Sequence, residues 1–320
     1  MTSCANSSTV HPLGRAVDSI LLFTTGLIGN IIALVILGKH KRSSKQQQVS
    51  VFYILVTGLV LTDLFGKCFI SPVVFVSYAS NLTLIALTET NILCDYFSFS
   101  MSFFGLASMF ILFGMALECW LSISHPFFYE EHFTNCRALV LFPVVYISCL
   151  LFCSMPLLGF GSTKQYCPGT WCFLDMTKGK GTFSVLYATL MAILIVAVML
   201  CNVSVAINLT KMYRRQRQRS NSNPSAGVRT KRFTHFEEVD HLILLVLMSI
   251  IFLICSLPLT IRAYIGAFSP DNDDGEDLIA LKLASVNSIV DPWVFIIFRT
   301  SVFRKLVSMC YKDSSPTLHL

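Results

Sequence analysis

Residues 183–212 read FSVLYATLMAILIVAVMLCNVSVAINLTKM, with a single charged side chain, Lys211, at the far end. At about 1.5 Å per residue such a helix exceeds the roughly 30 Å hydrocarbon core of a bilayer. Six other stretches read the same way. The predicted spans are 16–38, 50–78, 92–123, 137–159, 183–212, 239–266 and 278–298, each bounded by charges, Pro or Gly. Composition points the same way. Of 320 residues, 54% are hydrophobic and 13% are charged, with 26 Phe. A soluble domain carries about 25% charged residues to coat its surface. The mean hydropathy is +0.67. These values exclude a disordered chain and an ordinary water-soluble enzyme, and they exclude a nucleic-acid module despite the net charge of +6. The fold expected is an all-α membrane protein: one seven-transmembrane helix bundle over residues 1–320, followed by a short amphipathic C-terminal helix.

Lysine and arginine set an expected orientation. With the N-terminus outside, 17 of the 24 basic residues fall on the cytoplasmic side. They are Lys39, Lys41, Arg42, Lys45, Arg137, eight residues between Lys211 and Arg232, and Arg299, Arg304, Lys305 and Lys312. The positive-inside bias therefore predicts an external N-terminus and a cytoplasmic tail. The sequons at Asn6 and Asn81 fall on the predicted outside, as do Cys4, Cys94, Cys167 and Cys172, where glycans and disulfides form. The sequons at Asn202 and Asn208 lie in or just below a span. No CxxC pair appears, and Cys68, Cys149, Cys153, Cys201 and Cys255 sit in apolar runs as small hydrophobes, so no metal site or cofactor is expected. The basic, Ser/Asn-rich segment Arg214–Glu238 reads as a disordered connector along the membrane surface that also offers a docking face. Over 299–310, Val302, Phe303, Leu306 and Val307 share one helical face and Arg304 and Lys305 the other, as in a helix lying on membrane lipids. Cys310 ends it and is a palmitoylation candidate.

Ionisable groups within spans are costly, and each asks for a reason. Asp63, Asp291, Asn30 and Asn287 read either as hydrogen-bonding glue between helices or as a polar core, with room for an ion, that shifts when the bundle changes shape. Lys67 stands one turn after Asp63 on the same face. It reads either as its ion-pair partner or as a cation aimed into a cavity toward an acidic ligand. Lys282, in the last span, has no carboxylate one turn away. It snorkels to the interface or meets a ligand carboxylate. Pro258 and Pro292 interrupt the hydrogen-bond ladders of their spans and supply pivots.

Seven spans, an external N-terminus, a Cys at the top of the third span and another in the second outer loop resemble the rhodopsin-like G-protein-coupled receptors. The base of the third span reads Glu118-Cys119-Trp120, the sixth-span motif Cys255-Ser-Leu-Pro258, and the seventh-span motif Asp291-Pro292-Trp-Val-Phe295. The loop Gln165-Tyr-Cys-Pro-Gly-Thr-Trp-Cys-Phe173 is similar to that of the prostanoid receptors. Three stretches resemble the prostaglandin D2 (DP) branch: Glu118-Cys-Trp-Leu-Ser with His125-Pro-Phe-Phe-Tyr129, Gly66-Lys-Cys with Ser71-Pro-Val-Val74, and Arg262-Ala-Tyr-Ile-Gly-Ala-Phe268. The resemblance implies a plasma-membrane receptor with prostaglandin D2 as ligand and a stimulatory heterotrimeric G protein as partner, raising cyclic AMP. It implies carboxylate binding by Lys282, Tyr78 and Thr170, a pocket wall at Trp171, Ser285 one turn below Lys282, and Lys67 as a second cation. It also implies a Cys94–Cys172 disulfide, which leaves Cys4 and Cys167 to form a second. Glu118, Cys119 and Trp120, with Asp63, Asp291, Pro258 and Pro292, take the coupling and switching roles. The family carries Arg where this chain has Lys282, so the two-pronged grip of a guanidinium gives way to a point charge.

Receptors for prostaglandin E2 or prostacyclin are the alternative within the class, and an organic-anion transporter is a remoter one. A transporter needs a polar path through the lower half of the bundle, where the sequence offers only Asp63, Asn30, Asn287 and Asp291. An intramembrane enzyme is not expected. No His/Glu zinc motif or Gly-x-Ser-x-Gly elbow is present, and His125, His132, His235 and His241 fall at cytoplasmic span ends or in loops.

Overall fold

The computed structural model describes residues 7–11, 15–43, 51–88, 90–132, 134–222, 228–269 and 274–299. Its helices are α1 (Ala16–Ser43), α2 (Val51–Ser80), α3 (Ile92–Ser124), the short α4 (Pro126–His132), α5 (Asn135–Cys153), α6 (Thr182–Ser222), α7 (Val228–Phe268) and α8 (Asp274–Arg299). All but α4 contain a stretch long and apolar enough to cross a membrane, which makes seven among the described residues. The helices form a closed ring: α1 packs on α2 and α8, α2 on α3, α3 on α6, α6 on α7, and α7 on α8. Helix α3 is the most enclosed, with Ala107, Ile111, Met115 and Ala116 wholly buried. Large apolar side chains on the outer faces, such as Ile193, Leu200 and Ile254, stay exposed, as expected where lipid is the solvent.

Neutral hydrogen bonds join the spans in their interiors. Thr62 meets the Tyr146 hydroxyl at 2.8 Å, and Thr189 meets that of Tyr264 at 2.6 Å. Asn202 Nδ2 donates to Ser249 Oγ at 2.8 Å, Trp120 Nε1 to Ser204 Oγ at 3.0 Å, and Asn208 Nδ2 to Ser124 Oγ at 2.6 Å. Each pairs a polar group that neither lipid nor apolar packing can satisfy.

One end of the bundle is covered by a hairpin of β1 (Thr163–Tyr166) and β2 (Trp171–Leu174), paired antiparallel with Tyr166 opposite Trp171. Every residue of β2 is buried, and Cys172 is tied to Cys94 at the start of α3 by a disulfide. The hairpin turn requires glycine at 169, where φ is +100° and a Cβ would stand 2.4 Å from the Thr83 side chain. Residues 7–11 lie over this turn: Thr9 bridges Leu82, and His11 N–H donates to Pro168 O at 2.9 Å. The Tyr166 phenol donates to Leu174 O at 3.0 Å, and burial pushes its pKa up, so it remains a donor.

The structure corrects one expectation. The segment 214–238, read as a disordered connector, is largely helical: α6 runs through Ser222 and α7 begins at Val228. Its Arg- and Gln-rich stretch is made of good helix formers with no break before Pro224, and two apolar spans supply the nuclei from which helix propagates. The amphipathic helix expected over 299–310, together with Cys4, Asn6 and Cys310, lies outside the described residues.

Candidate ligand-binding site

A cavity opens among α1, α2, α3, α6, α7, α8 and the hairpin, with about 1250 Å³ of space between atoms, open solvent at its mouth included. Its walls are mostly apolar, including Leu22, Phe23, Met101, Phe104, Phe252 and Leu259. Trp171 and Phe173 of β2 project into its lining. Trp171 packs edge-on against Phe97 with ring centroids 5.8 Å apart, and Phe173 packs against Tyr187 at 5.9 Å. The position of the disulfide explains why: pinning Cys172 to α3 holds the side chains on either side of it over the bundle.

Lys67 is the one basic side chain in this lining, and it is only 9% exposed. Both readings of Lys67 keep support: it lines the cavity, and Asp63, in the same lining, acts on it electrostatically. Its Nζ donates to Ser285 O at 3.0 Å, while the Asp63 carboxylate is engaged elsewhere, Oδ1 accepting from Ser108 Oγ at 2.8 Å. Gly26 makes room for the lysine stem, since a Cβ there would stand 3.3 Å from Lys67 Cε. Ser285 also lines the cavity, and its Oγ donates to Lys282 O at 2.7 Å, so the three residues form one chain of contacts from α2 to α8.

Lys282 stands one turn closer to the hairpin than Ser285 and is half-buried. It is not part of the cavity lining, and its ammonium has no ion pair among the described residues. Tyr78 and Thr170 also lie outside the lining but meet each other, Thr170 Oγ1 to Tyr78 OH at 3.4 Å. Trp171, Ser285 and Lys67 therefore converge on the cavity, while Tyr78 and Thr170 form a separate pair.

Ion pairs that the sequence reading did not foresee lace the rim. Lys164 of β1 meets Asp274 at 2.8 Å, and Arg262 of α7 meets Asp277 at 2.6 Å and Glu276 at 2.5 Å. Lys164 and Asp274 are 110 residues apart, and Arg262 meets its partners across the connection between two consecutive helices, so helical spacing carried no signal. The apolar lining was equally silent, because a Phe facing a cavity and a Phe facing a packed core share one helical pattern.

The expected polar core adjoins the cavity, and Asp63 and Asn287 belong to the lining of both. Asn30 Nδ2 donates to Ser288 O at 3.2 Å, and Asp63, Asn287 and Asp291 are all buried. Asn30 Oδ1, Asp63 Oδ2, Asn287 Oδ1 and Asp291 Oδ1 have no hydrogen-bond partner among the described residues. Buried oxygens in this state attract a proton, water or a cation. Pro258 and Pro292 lie inside α7 and α8. At the opposite end, Tyr129 of α4 donates to Glu118 Oε1 at 2.6 Å, and burial, with the nearby carboxylate, raises the phenol's pKa. Cys119 is buried beside them, and Trp120 ties α3 to α6. Asn81 is exposed with φ +55°, a left-handed conformation that asparagine tolerates. Cys167 is disulfide-bonded.

The description "7 transmembrane receptor (rhodopsin family)" matches residues 29–295. The squid rhodopsin crystal structure superposes with a TM-score of 0.75 over 92% of this chain and 78% of that one, at 14% identity, a likeness of fold. The prostaglandin D2 receptor of Mus musculus is 48% identical over 324 residues, covering 95% of this chain and 91% of its own. The Homo sapiens prostaglandin D2 receptor is 46% identical over 325 residues, 94% of this chain and 90% of its own. The Homo sapiens prostaglandin E2 receptor EP2 subtype is 47% identical over 330 residues, 98% and 91%. These are receptors, a class without enzymatic activity. With a family match over most of its length and near-half identity to such relatives, the chain belongs to the rhodopsin-like seven-transmembrane receptors and, within them, to the prostanoid receptors.

Proposed function

We propose that this protein is a plasma-membrane receptor for prostaglandin D2 that couples to a stimulatory G protein and raises cyclic AMP. The N-terminus and hairpin are external, and the basic ends of α6 and α7 are cytoplasmic. The observation that carries the ligand class is an apolar cavity served by two ammonium groups: buried Lys67 in its lining, and half-buried Lys282, which has no ion pair among the described residues, one turn from Ser285. A lipid acid complements such a site. Its chains bury apolar surface, each methylene contributing about 0.8 kcal/mol, and its polar groups meet the two lysines. The carboxylate is held by Lys282, Tyr78 and Thr170 at the hairpin end. Lys67 and Ser285, one turn deeper, read an oxygen on the cyclopentane ring, and Trp171 walls the pocket. Binding favours a bundle shape with an open cytoplasmic face, reached through the polar core and the Pro258 and Pro292 pivots. The coupling surface includes Glu118, Cys119 and Trp120.

The second reading is a prostaglandin E2 receptor, favoured by the 47% identity to the human EP2 subtype over nearly the whole chain. Cyclic AMP dose–response curves for prostaglandin D2, prostaglandin E2 and a stable prostacyclin analogue decide. The expected order places prostaglandin D2 first by tenfold or more. A silent panel overturns the receptor reading, and prostaglandin E2 in first place overturns the subtype.

A further inference from the structure

Serine and threonine hydroxyls buried in helices ordinarily return their proton to a carbonyl three or four residues earlier, and Ser184, Thr260, Ser285 and Ser288 of the cavity lining do so. On the wall made by α6 and α7, Ser184 Oγ donates to Gly181 O at 2.8 Å, Thr260 Oγ1 to Ser256 O at 3.1 Å, and the Tyr187 hydroxyl to Ser102 O at 3.4 Å. Ser256 does not. It is 5% exposed and lines the cavity, and its hydroxyl has no hydrogen-bond partner among the described residues. Its Oγ is open to the cavity, unlike the sealed Ser98 Oγ, so it takes its hydrogen bond from whatever fills the cavity. The groups that could turn toward it from its own wall already donate elsewhere, and Cys255 and Leu257, its chain neighbours, are apolar.

We infer that Ser256 is a specificity-determining residue that hydrogen-bonds a hydroxyl on the ligand chain that does not carry the carboxylate. The inference rests on the proposed prostanoid reading. A ligand with its acid end at Lys282 on α8 and its ring at Lys67 on α2 sends its other chain to another wall, and Ser256 on α7 offers a hydroxyl there. The oxygen accepts from a chain hydroxyl and its proton donates to one, so a hydroxyl satisfies it in either sense. An alkyl chain leaves it unsatisfied.

The test uses the full chain in cell membranes, with two probes: prostaglandin D2 and its analogue lacking the side-chain hydroxyl. Competition binding is measured on wild type, Ser256→Ala and Ser256→Gly. The expected result is that Ser256→Ala weakens prostaglandin D2 by about 3- to 10-fold while leaving the deoxy analogue unchanged, so that the wild-type preference for the hydroxylated ligand disappears. Retained deoxy binding shows that the variant is folded. Where Ser256→Ala does not reach the membrane, Ser256→Gly is held to the same criterion. An equal loss for both probes, or no loss for either, overturns the role of Ser256 and leaves the receptor reading intact. Wild type that binds neither acid overturns the receptor reading, and this inference with it.

Discussion

Replacing Lys282 by Met tests the assignment of the two lysines to two groups of the ligand, its carboxylate and a ring oxygen. Methionine keeps the length and apolar stem and removes only the ammonium. Lys282 is half-buried, and no described residue would lose an ion pair, so the fold should bear the change. A hydrogen bond to a charged group contributes about 1.5–3 kcal/mol net, and partial exposure moves the expectation toward the lower half of that range. The predicted loss in prostaglandin D2 affinity is about 10- to 50-fold. Lys67→Met behaves differently. Lys67 donates to Ser285 O, and a neutral ligand oxygen shared with it contributes about 1 kcal/mol, so the loss is about 5-fold. Esterification separates the two. The methyl ester of the same ligand has no carboxylate charge, so it should be indifferent to Lys282→Met yet still lose affinity with Lys67→Met. The assay is competition binding of acid and ester on both variants. If esterification instead abolishes the sensitivity to Lys67→Met, and Lys282→Met is silent, the carboxylate lies inside the cavity on Lys67 and the assignment is refuted.

Other changes probe the frame around the site. Ser204→Ala removes the acceptor of Trp120 Nε1 between α3 and α6, a bond of about 1 kcal/mol, so the active population should rise about fivefold; unchanged basal cyclic AMP at matched surface expression would count against that seam as a brake. Gly58→Ala places a Cβ 1.9 Å from the Phe142 ring and should cost about 1–3 kcal/mol, read as a lowered melting temperature in detergent and recovered by adding Phe142→Leu. Arg262→Gln leaves the buried Asp277 carboxylate without its cation, a loss of about 3 kcal/mol; Asp277→Asn in the same chain should restore much of the thermal stability, and failure to do so would show that the pair does not act as a unit.

What was legible in the sequence, and what was not, follows from the range of the interactions. Spans are legible because lipid imposes a local rule: some twenty successive residues must be apolar and must satisfy their own backbone. The loop Gln165–Phe173 was legible because a turn bounded by two cysteines is a short, specific string, and the Cys94–Cys172 bond implied by resemblance is present. Lys67 stood out because a charge inside a span is rare, but its direction was not readable. An i, i+4 carboxylate is the nearest partner in sequence, yet the hydrogen bond crosses to Ser285, 218 residues away. The connector between α6 and α7 failed for the opposite reason: its local composition suggested disorder, and the adjoining helices extended into it.

The same reasoning separates the two kinds of glue that hold the bundle. Among the described residues, ion pairs join the hairpin, α7 and α8 at the rim, through Lys164, Arg262, Asp274, Glu276 and Asp277; Glu276 stands in solvent, while the other four side chains are 8–13% exposed. Deeper in the bundle the joints named above are neutral: Thr62 with Tyr146, Thr189 with Tyr264, Asn202 with Ser249. Desolvating a charge costs several kcal/mol more than desolvating a hydroxyl, so membrane depth selects the joint. Salt screens the exposed Arg262–Glu276 contact, reaches the largely buried pairs much less, and barely touches the neutral joints. Raising ionic strength should therefore weaken chiefly the Arg262–Glu276 contact and speed ligand exchange only modestly, while basal cyclic AMP, expected to follow the neutral α3–α6 and α6–α7 seams, stays constant. Matched changes in both would show that the two ends of the bundle are one cooperative unit, and that the rim pairs are part of the switch.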